Sequence, residues 1–187
     1  MRRGETRAAI LLVKSFLLRI AYHGAGFHGW ASQTSGVRTV ANELLAALRP
    51  LCQGEPSLQG ASRTDAGVHA LGQAAHVKAE TRLEAQALLR ALNATLARDV
   101  RVLAARDVPE TFDPRHGAEQ KWYRYRILER IQGSPLEEAT AWHIPKNLEL
   151  EAIQPGGLSP RHSKTCIPYG ECEPAKRKGE ARWNGRS

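Results

Sequence analysis

Three side chains able to do acid, base or electrostatic work crowd into one short stretch, G-A-S-R-T-D-A-G-V-H-A-L-G-Q-A-A-H-V, residues Gly60–Val77. They are Arg63, Asp65 and His69. Small residues and two glycines, Gly67 and Gly72, surround them, and an apolar alternation follows that reads as a strand. Charged groups on a glycine-rich loop beside a rigid element are how many active sites are built. Asp65 is the central residue. A guanidinium two positions away favours the ionised carboxylate, which is the nucleophilic form. Asp and Gly are also ordinary turn residues, so R-T-D-A-G by itself reads more often as a solvated turn than as a site.

The elements that must hold this loop follow from periodicity. Phe16–Tyr22 is mostly apolar and ends at His23-Gly24, a strand running into a loop. The loop, His23 to Trp30, carries two histidines, three glycines and two aromatics. Two histidines without a Cys or carboxylate cluster make a weak metal site, and an irregular loop with its aromatics packed on the sheet is the simpler reading. Thr39 caps a helix running to about Arg49, with Val40, Leu44, Leu45 and Leu48 on one stripe and Pro50 ending it. Ser57–Ala61 and Ala74–Lys78 are the strands entering and leaving the Asp65 loop. Thr81-x-x-Glu84 reads as a capping box opening a second helix through about Leu92, with Leu88, Leu89, Ala91 and Leu92 toward the core. Val100–Val108 is a further strand. The order βαββαβ predicts an α+β, ferredoxin-like (RRM-like) domain, an antiparallel sheet with two helices on one face.

After a linker at Pro109 and Phe112–Gly117, the stretch Gln120–Leu128, Q-K-W-Y-R-Y-R-I-L, alternates. Tyr123, Tyr125 and Ile127 share one face of a strand; Trp122, Arg124, Arg126 and Leu128 share the other. Interleaved aromatics and arginines suit RNA, through stacking planes and phosphate contacts. A strand with an aromatic core face and a basic solvated face fits the same pattern. Trp142–Pro145 and Leu148–Ile153 read as a strand and the start of a helix. From Gln154 no period survives, and seven Lys plus Arg stand against three Glu, so this tail is expected to be disordered. The expected division is an N-terminal extension (1–15), a catalytic domain (16–109), an incomplete second domain of the same kind (110–153) and the tail (154–187).

Composition agrees with a soluble globular protein: 42% hydrophobic and 25% charged over 187 residues. A formal charge of +8 and a pI near 9.8 suit a polyanionic partner without requiring one. The three cysteines, Cys52, Cys166 and Cys172, have no C-x-x-C spacing and support neither a disulfide framework nor a zinc site; a reducing cytoplasm is expected. Lys14 and Arg19 interrupt the apolar start, which argues against a secretory signal, and no stretch has the length of a membrane helix.

The string R-T-D-A-G-V-H-A-x-G-Q-x-x-H resembles the signature of the TruA family of tRNA pseudouridine synthases. Tyr22-His23-Gly24 with Phe27-His28-Gly29-Trp30, Asn93 onwards, and the F-x-x-R…Y-R-Y segment from Phe112 to Ile127 resemble further pieces in the family's order. The resemblance covers roughly Phe16 to Trp142. It implies an isomerase acting on uridines of the tRNA anticodon arm from a cleft built of two ferredoxin-like halves, with no metal or organic cofactor and a dimeric assembly. It implies that Asp65 is the catalytic carboxylate, that Tyr123 stacks on the target uracil and that Arg63 keeps Asp65 ionised or fills the space the base vacates. His69 supports the loop or caps it by bonding backbone, and Arg115, the arginine of F-x-x-R, binds phosphate or braces the loop. The family pattern ceases near Gln154, and a frameshift or mis-called end is expected there. The competing readings are a non-catalytic RNA-binding fragment and an aspartate-dependent hydrolase; the latter lacks a second carboxylate motif.

Overall fold

Alternation of apolar side chains along three strands and a 3.6-residue stripe along two helices give each element one face to bury. The computed structural model describes residues 12–32, 36–118, 120–146, 148, 158–159 and 162–167. Two units divide between Glu119 and Gln120. In the first, the order is β1 (Leu12–Tyr22), α1 (Val40–Leu48), β2 (Gln53–Gly60), β3 (Ala70–Thr81), α2 (Ala85–Thr95) and β4 (Val100–Asp107). The sheet order is β2-β3-β1-β4 with every pairing antiparallel. Each βαβ segment therefore skips one strand position, which is compatible with a ferredoxin-like domain.

One sheet face and the two helices form the core. Phe16, Leu18, Ile20 and Tyr22 of β1, Ala75, Val77 and Ala79 of β3, and Val100, Val102 and Ala105 of β4 meet Val40, Leu44 and Leu48 of α1 and Leu88 and Leu92 of α2. Burial of that many apolar side chains is the main force holding the unit together. Thr39 caps α1 by accepting from the Asn42 amide at 3.2 Å, and Pro50 sits in the 3-10 turn that ends it. Leu45 of the expected stripe is only half-buried, and Ala41 and Ala47 are buried instead.

Several boundaries differ from the sequence expectation. The strand β1 begins at Leu12, four residues early, because Val13, Lys14 and Ser15 pair with Glu80, Ala79 and Lys78 although Lys14 and Ser15 break the apolar pattern. Pairing likewise extends β2 and β3 beyond their apolar cores. The Thr81–Glu84 capping box does not form. Thr81 is the last residue of β3, its hydroxyl donates to the Leu51 carbonyl at 2.8 Å and accepts from Leu83 at 3.2 Å, and α2 starts behind Glu84, whose side chain makes no cap bond.

The other sheet face is partly covered. The segment expected as a plain linker returns across it: Phe112 meets His76 edge-on at 5.9 Å, and Asp113 and Arg115 lie beside Gln59 of β2. His76 is 4% exposed and its Nε2 has no partner among the described residues. Leu17 and Gln59 flank it in register.

The second unit holds β5 (Trp122–Glu129), β6 (Trp142–Ile144), β7 (Leu158–Ser159) and β8 (His162–Ile167) in the order β6-β5-β8-β7. The strand β5 pairs parallel with β6 and β8, and β7 pairs antiparallel with β8. This mixed sheet differs from the all-antiparallel one expected for a repeat of the first domain. Apart from β7 and β8, the tail expected from Gln154 lies outside the described residues, as does most of Leu148–Ile153. No helix among the described residues is long and apolar enough to cross a membrane.

Burial first, and then the Lys78 ammonium, hold the His76 imidazole below its ordinary pKa, with Asp113 opposing. The unfolded chain then binds a proton near pH 6.5 that the folded chain refuses, so this group favours folding above that pH and the advantage is lost as the pH falls. The melting temperature is therefore expected to drop between pH 7.5 and 5, and His76→Leu should flatten that drop. An unchanged pH slope in His76→Leu melts followed by circular dichroism would contradict the assignment.

Candidate active site

Asp65 lies on the loop between β2 and β3, and that loop is clasped by the one between β1 and α1. The Trp30 amide donates to the Thr64 carbonyl at 3.0 Å, and the Gly67 amide donates to the Phe27 carbonyl at 3.1 Å. Tyr22 Oη and Thr64 Oγ1 share a hydrogen bond at 2.8 Å. The Gly24 amide donates to His69 Nδ1 at 3.1 Å, which leaves the neutral ring's proton on Nε2. From the β3 side, Gln73 Nε2 reaches the Ser62 carbonyl at 2.5 Å.

Glycines make this approach possible. Gly29 has φ +90°, and a Cβ there would stand 2.6 Å from the Thr64 carbonyl oxygen. At Gly24 a Cβ would overlap the Val68 carbonyl, and at Gly60 it would meet the Trp30 indole nitrogen at 2.5 Å. The Val68 amide closes a turn on the Asp65 carbonyl at 3.2 Å, and Gly67 supplies the φ of +78° at its third position. Phe27 and Trp30, at 3% and 4% exposure, pack into the core, as expected of the aromatics in that loop.

Arg38 fixes the other loop. Its guanidinium is bidentate to Asp99 at 2.7 and 3.0 Å, bonds Glu43 at 2.7 Å and lies 4.1 Å from the centre of the Phe27 ring. Asp99 holds Arg38 firmly charged, and Arg38 in turn holds the Asp99 carboxyl below its ordinary range. The Asp99 carbonyl also accepts from His23, while the Arg38 carbonyl accepts from His28. Sequence reasoning missed Arg38, Asp99 and the Tyr22–Thr64 pair; nothing in local spacing connects positions 61 residues apart.

The result is a backbone held at many points that presents its charged side chains outward. Asp65 and Arg63 are exposed, and among the described residues neither side chain has a hydrogen-bond or ion-pair partner. They are thus not paired with each other. His69 is half-buried, meets His23 edge-on at 4.4 Å and accepts the Gly24 backbone bond at Nδ1. Arg115 is bonded to Asp113, with contacts from its Nη2 at 3.2 Å and its backbone amide at 2.8 Å. Tyr123 belongs to the second unit, where Trp122, Tyr123 and Tyr125 are 66%, 42% and 52% exposed, so both faces of β5 carry open aromatic rings there. Among the described residues no cluster of three or more His, Cys, Asp or Glu could hold a metal ion. A shallow hollow of about 240 Å³ lined by Lys14, Ser15, Glu84 and Asp107 lies at the opposite end of β1 from the Asp65 loop, remote from this chemistry.

The model of the family described as tRNA pseudouridine synthase matches residues 19–116. Curated relatives include the tRNA pseudouridine synthase A proteins of Rhodopseudomonas palustris, Thermoanaerobacter sp. and Parvibaculum lavamentivorans. The first is 40% identical over 163 residues, covering 86% of this chain and 65% of the relative. The second is 38% identical over 142 residues, with 76% and 58% covered, and the third is 37% identical over 161 residues, with 84% and 65% covered. The chain thus spans about 60% of the length of the curated relatives it matches.

Arg38→Met keeps an unbranched stem against Phe27 and removes the charged bonds to Asp99 and Glu43. The unit is expected to lose about 2 kcal/mol of stability, the range for charge-assisted hydrogen bonds. Urea unfolding of the two proteins measures it, and equal midpoints would show that the ion pairs do not hold the loop.

Proposed function

From the premise that the chain belongs to the tRNA pseudouridine synthase family, we propose that it isomerises uridine to pseudouridine in the anticodon stem-loop of tRNA, with Asp65 as the catalytic carboxylate. The observation carrying this reading is the exposed Asp65 carboxylate without a partner, on a loop whose backbone is fixed by the β1–α1 loop. Such a group is preorganised for an electron-deficient sugar carbon or a base and needs no rearrangement to reach either.

In the reaction the bond from ribose C1′ to uracil N1 breaks and a bond from C1′ to C5 forms. The hydrogen on C5 leaves as a proton and N1 gains one, so no redox step and no hydrolysis occurs. Asp65 stabilises or captures the species formed when the glycosidic bond breaks, by adding to the base, attacking the sugar or taking a proton from it. The uridine must first leave its stack, at a cost of a few kcal/mol. Tyr123, with its ring open to solvent, offers a stacking partner worth about 1–3 kcal/mol. Arg63 is assigned to fill the space the base vacates, His69 to hold the loop and Arg115 to contact phosphate. The second unit is taken as the start of an incomplete second domain, although its parallel β5–β6 and β5–β8 pairings depart from the ferredoxin-like kind expected. Homodimer formation and a cytoplasmic location complete the proposal.

The second reading, an RNA-binding fragment without turnover, is favoured by one observation: the aromatic rings of Trp122, Tyr123 and Tyr125 on β5 are open for stacking. Release of tritium from C5 of uridine-labelled tRNA separates the two. The enzyme reading expects release that falls to background in Asp65→Asn while tRNA affinity stays within about twofold, since an exposed carboxylate adds little to binding. Release persisting in Asp65→Asn would overturn Asp65 as the catalytic group, and no release from the unaltered chain would favour the fragment. Tyr123→Ala is expected to lower kcat/KM roughly 5- to 150-fold, the loss of one stacked base; an unchanged value would remove Tyr123 from the site.

A further inference from the structure

The segment after β4 does more than connect two units. It crosses the open sheet face and sets Arg115 against Gln59, the residue of β2 directly before Gly60 and the start of the Asp65 loop. Two acceptors hold the Nε and Nη2 edge of the Arg115 guanidinium. Asp113 takes Nε at 3.4 Å and Nη2 at 3.2 Å, and also accepts from the Arg115 backbone amide at 2.8 Å. The Gln59 amide, with its oxygen toward the guanidinium, accepts from Nε at 2.8 Å and Nη2 at 2.9 Å. The opposite amide orientation gives one contact of 3.3 Å to Asp113 and sets NH2 against the guanidinium, so the first is assigned. His116 Nδ1 lies 3.2 Å from Asp113 Oδ2, the oxygen that also takes Arg115 Nη2, and Phe112 anchors the segment on His76.

A guanidinium has five donors in a rigid fork. Here the side edge is taken, and among the described residues the two Nη1 donors have no partner on a side chain that is 63% exposed. An ion pair meant only to tie the turn together would not need the second acceptor from another strand. We infer that Asp113 is a positioning residue: with Gln59 it fixes the orientation of Arg115 so that the free Nη1 end meets a phosphate oxygen of RNA lying toward the Asp65 loop. This rests on the reading of the chain as a tRNA-modifying protein. It adds that a carboxylate, a group that repels RNA, strengthens RNA binding by removing the rotamer freedom Arg115 would otherwise lose on contact.

The two possible roles of Asp113 predict opposite signs. If the pair merely neutralises charge, Asp113→Asn removes a repelling carboxylate and tRNA binding tightens. If Asp113 positions Arg115, binding weakens. The experiment titrates an unmodified tRNA transcript against the full 187-residue chain by fluorescence anisotropy across a series of KCl concentrations. The proteins are the unaltered chain, Asp113→Asn, Arg115→Ala, the double variant and Gln59→Leu, which attacks the brace from β2 should Asp113→Asn fail to fold. The expected result is a three- to tenfold loss of affinity in each single variant. The double variant should be no worse than Arg115→Ala, and the dependence of log affinity on log salt should be shallower by about one phosphate contact. Tighter binding in Asp113→Asn, additive losses or an unchanged salt slope would overturn the inference. Full affinity in Arg115→Ala, with Asp65-dependent tritium release intact, would overturn it together with the phosphate contact assigned to Arg115, and leave the isomerase reading with Asp65 standing. An unaltered chain without salt-dependent tRNA affinity would overturn both.

Discussion

Two backbone hydrogen bonds, Trp30 to Thr64 and Gly67 to Phe27, tie the loop after β1 to the loop between β2 and β3, and the rest of the first unit is arranged so that they can form. They require two chains to approach within the space of a missing side chain, which Gly24, Gly29 and Gly60 provide. They also require the first loop to be held from behind, which Arg38 does by joining the start of α1, the turn before β4 and the Phe27 ring. Asp65 can then be both exposed and fixed. Its carbonyl is taken up by the Val68 amide, and its carboxylate has no partner among the described residues.

The sheet gives this arrangement a rigid base with two different faces. One is sealed by helices through apolar contact, where fit is decided by volume. The other is polar and partly covered by the returning segment, where Phe112 shields a buried histidine and a braced arginine stands at the edge.

Much of the architecture was legible in the sequence because it rests on local rules. The period-2 pattern of Phe16–Tyr22, the Thr39 cap, Pro50 and the aromatics of the first loop are each decided within a few residues. The Asp65 loop could be found because its chemistry and its glycines are contiguous. What could not be read depends on partners distant in the chain. Lys14 and Ser15 look like non-strand residues until β3 is beside them. Thr81 has the spacing of a helix cap, but the Leu51 carbonyl takes its hydroxyl. Arg63 and Asp65, two positions apart, suggest an ion pair that the loop conformation does not make. Arg38 and Asp99 carry no sign of each other, and the return of residues 112–116 across the sheet cannot be seen in a stretch that reads as a linker.

The central claim is that the two loops are locked together in the protein alone. Amide hydrogen exchange of the RNA-free protein, followed residue by residue by NMR, tests it most directly. The account predicts that the Trp30 and Gly67 amides exchange as slowly as the central amides of β1 and β3, because each is a donor in the clasp. Exchange of both at the rate of an open loop would mean that the clasp is not standing in solution and that Asp65 is not held ready.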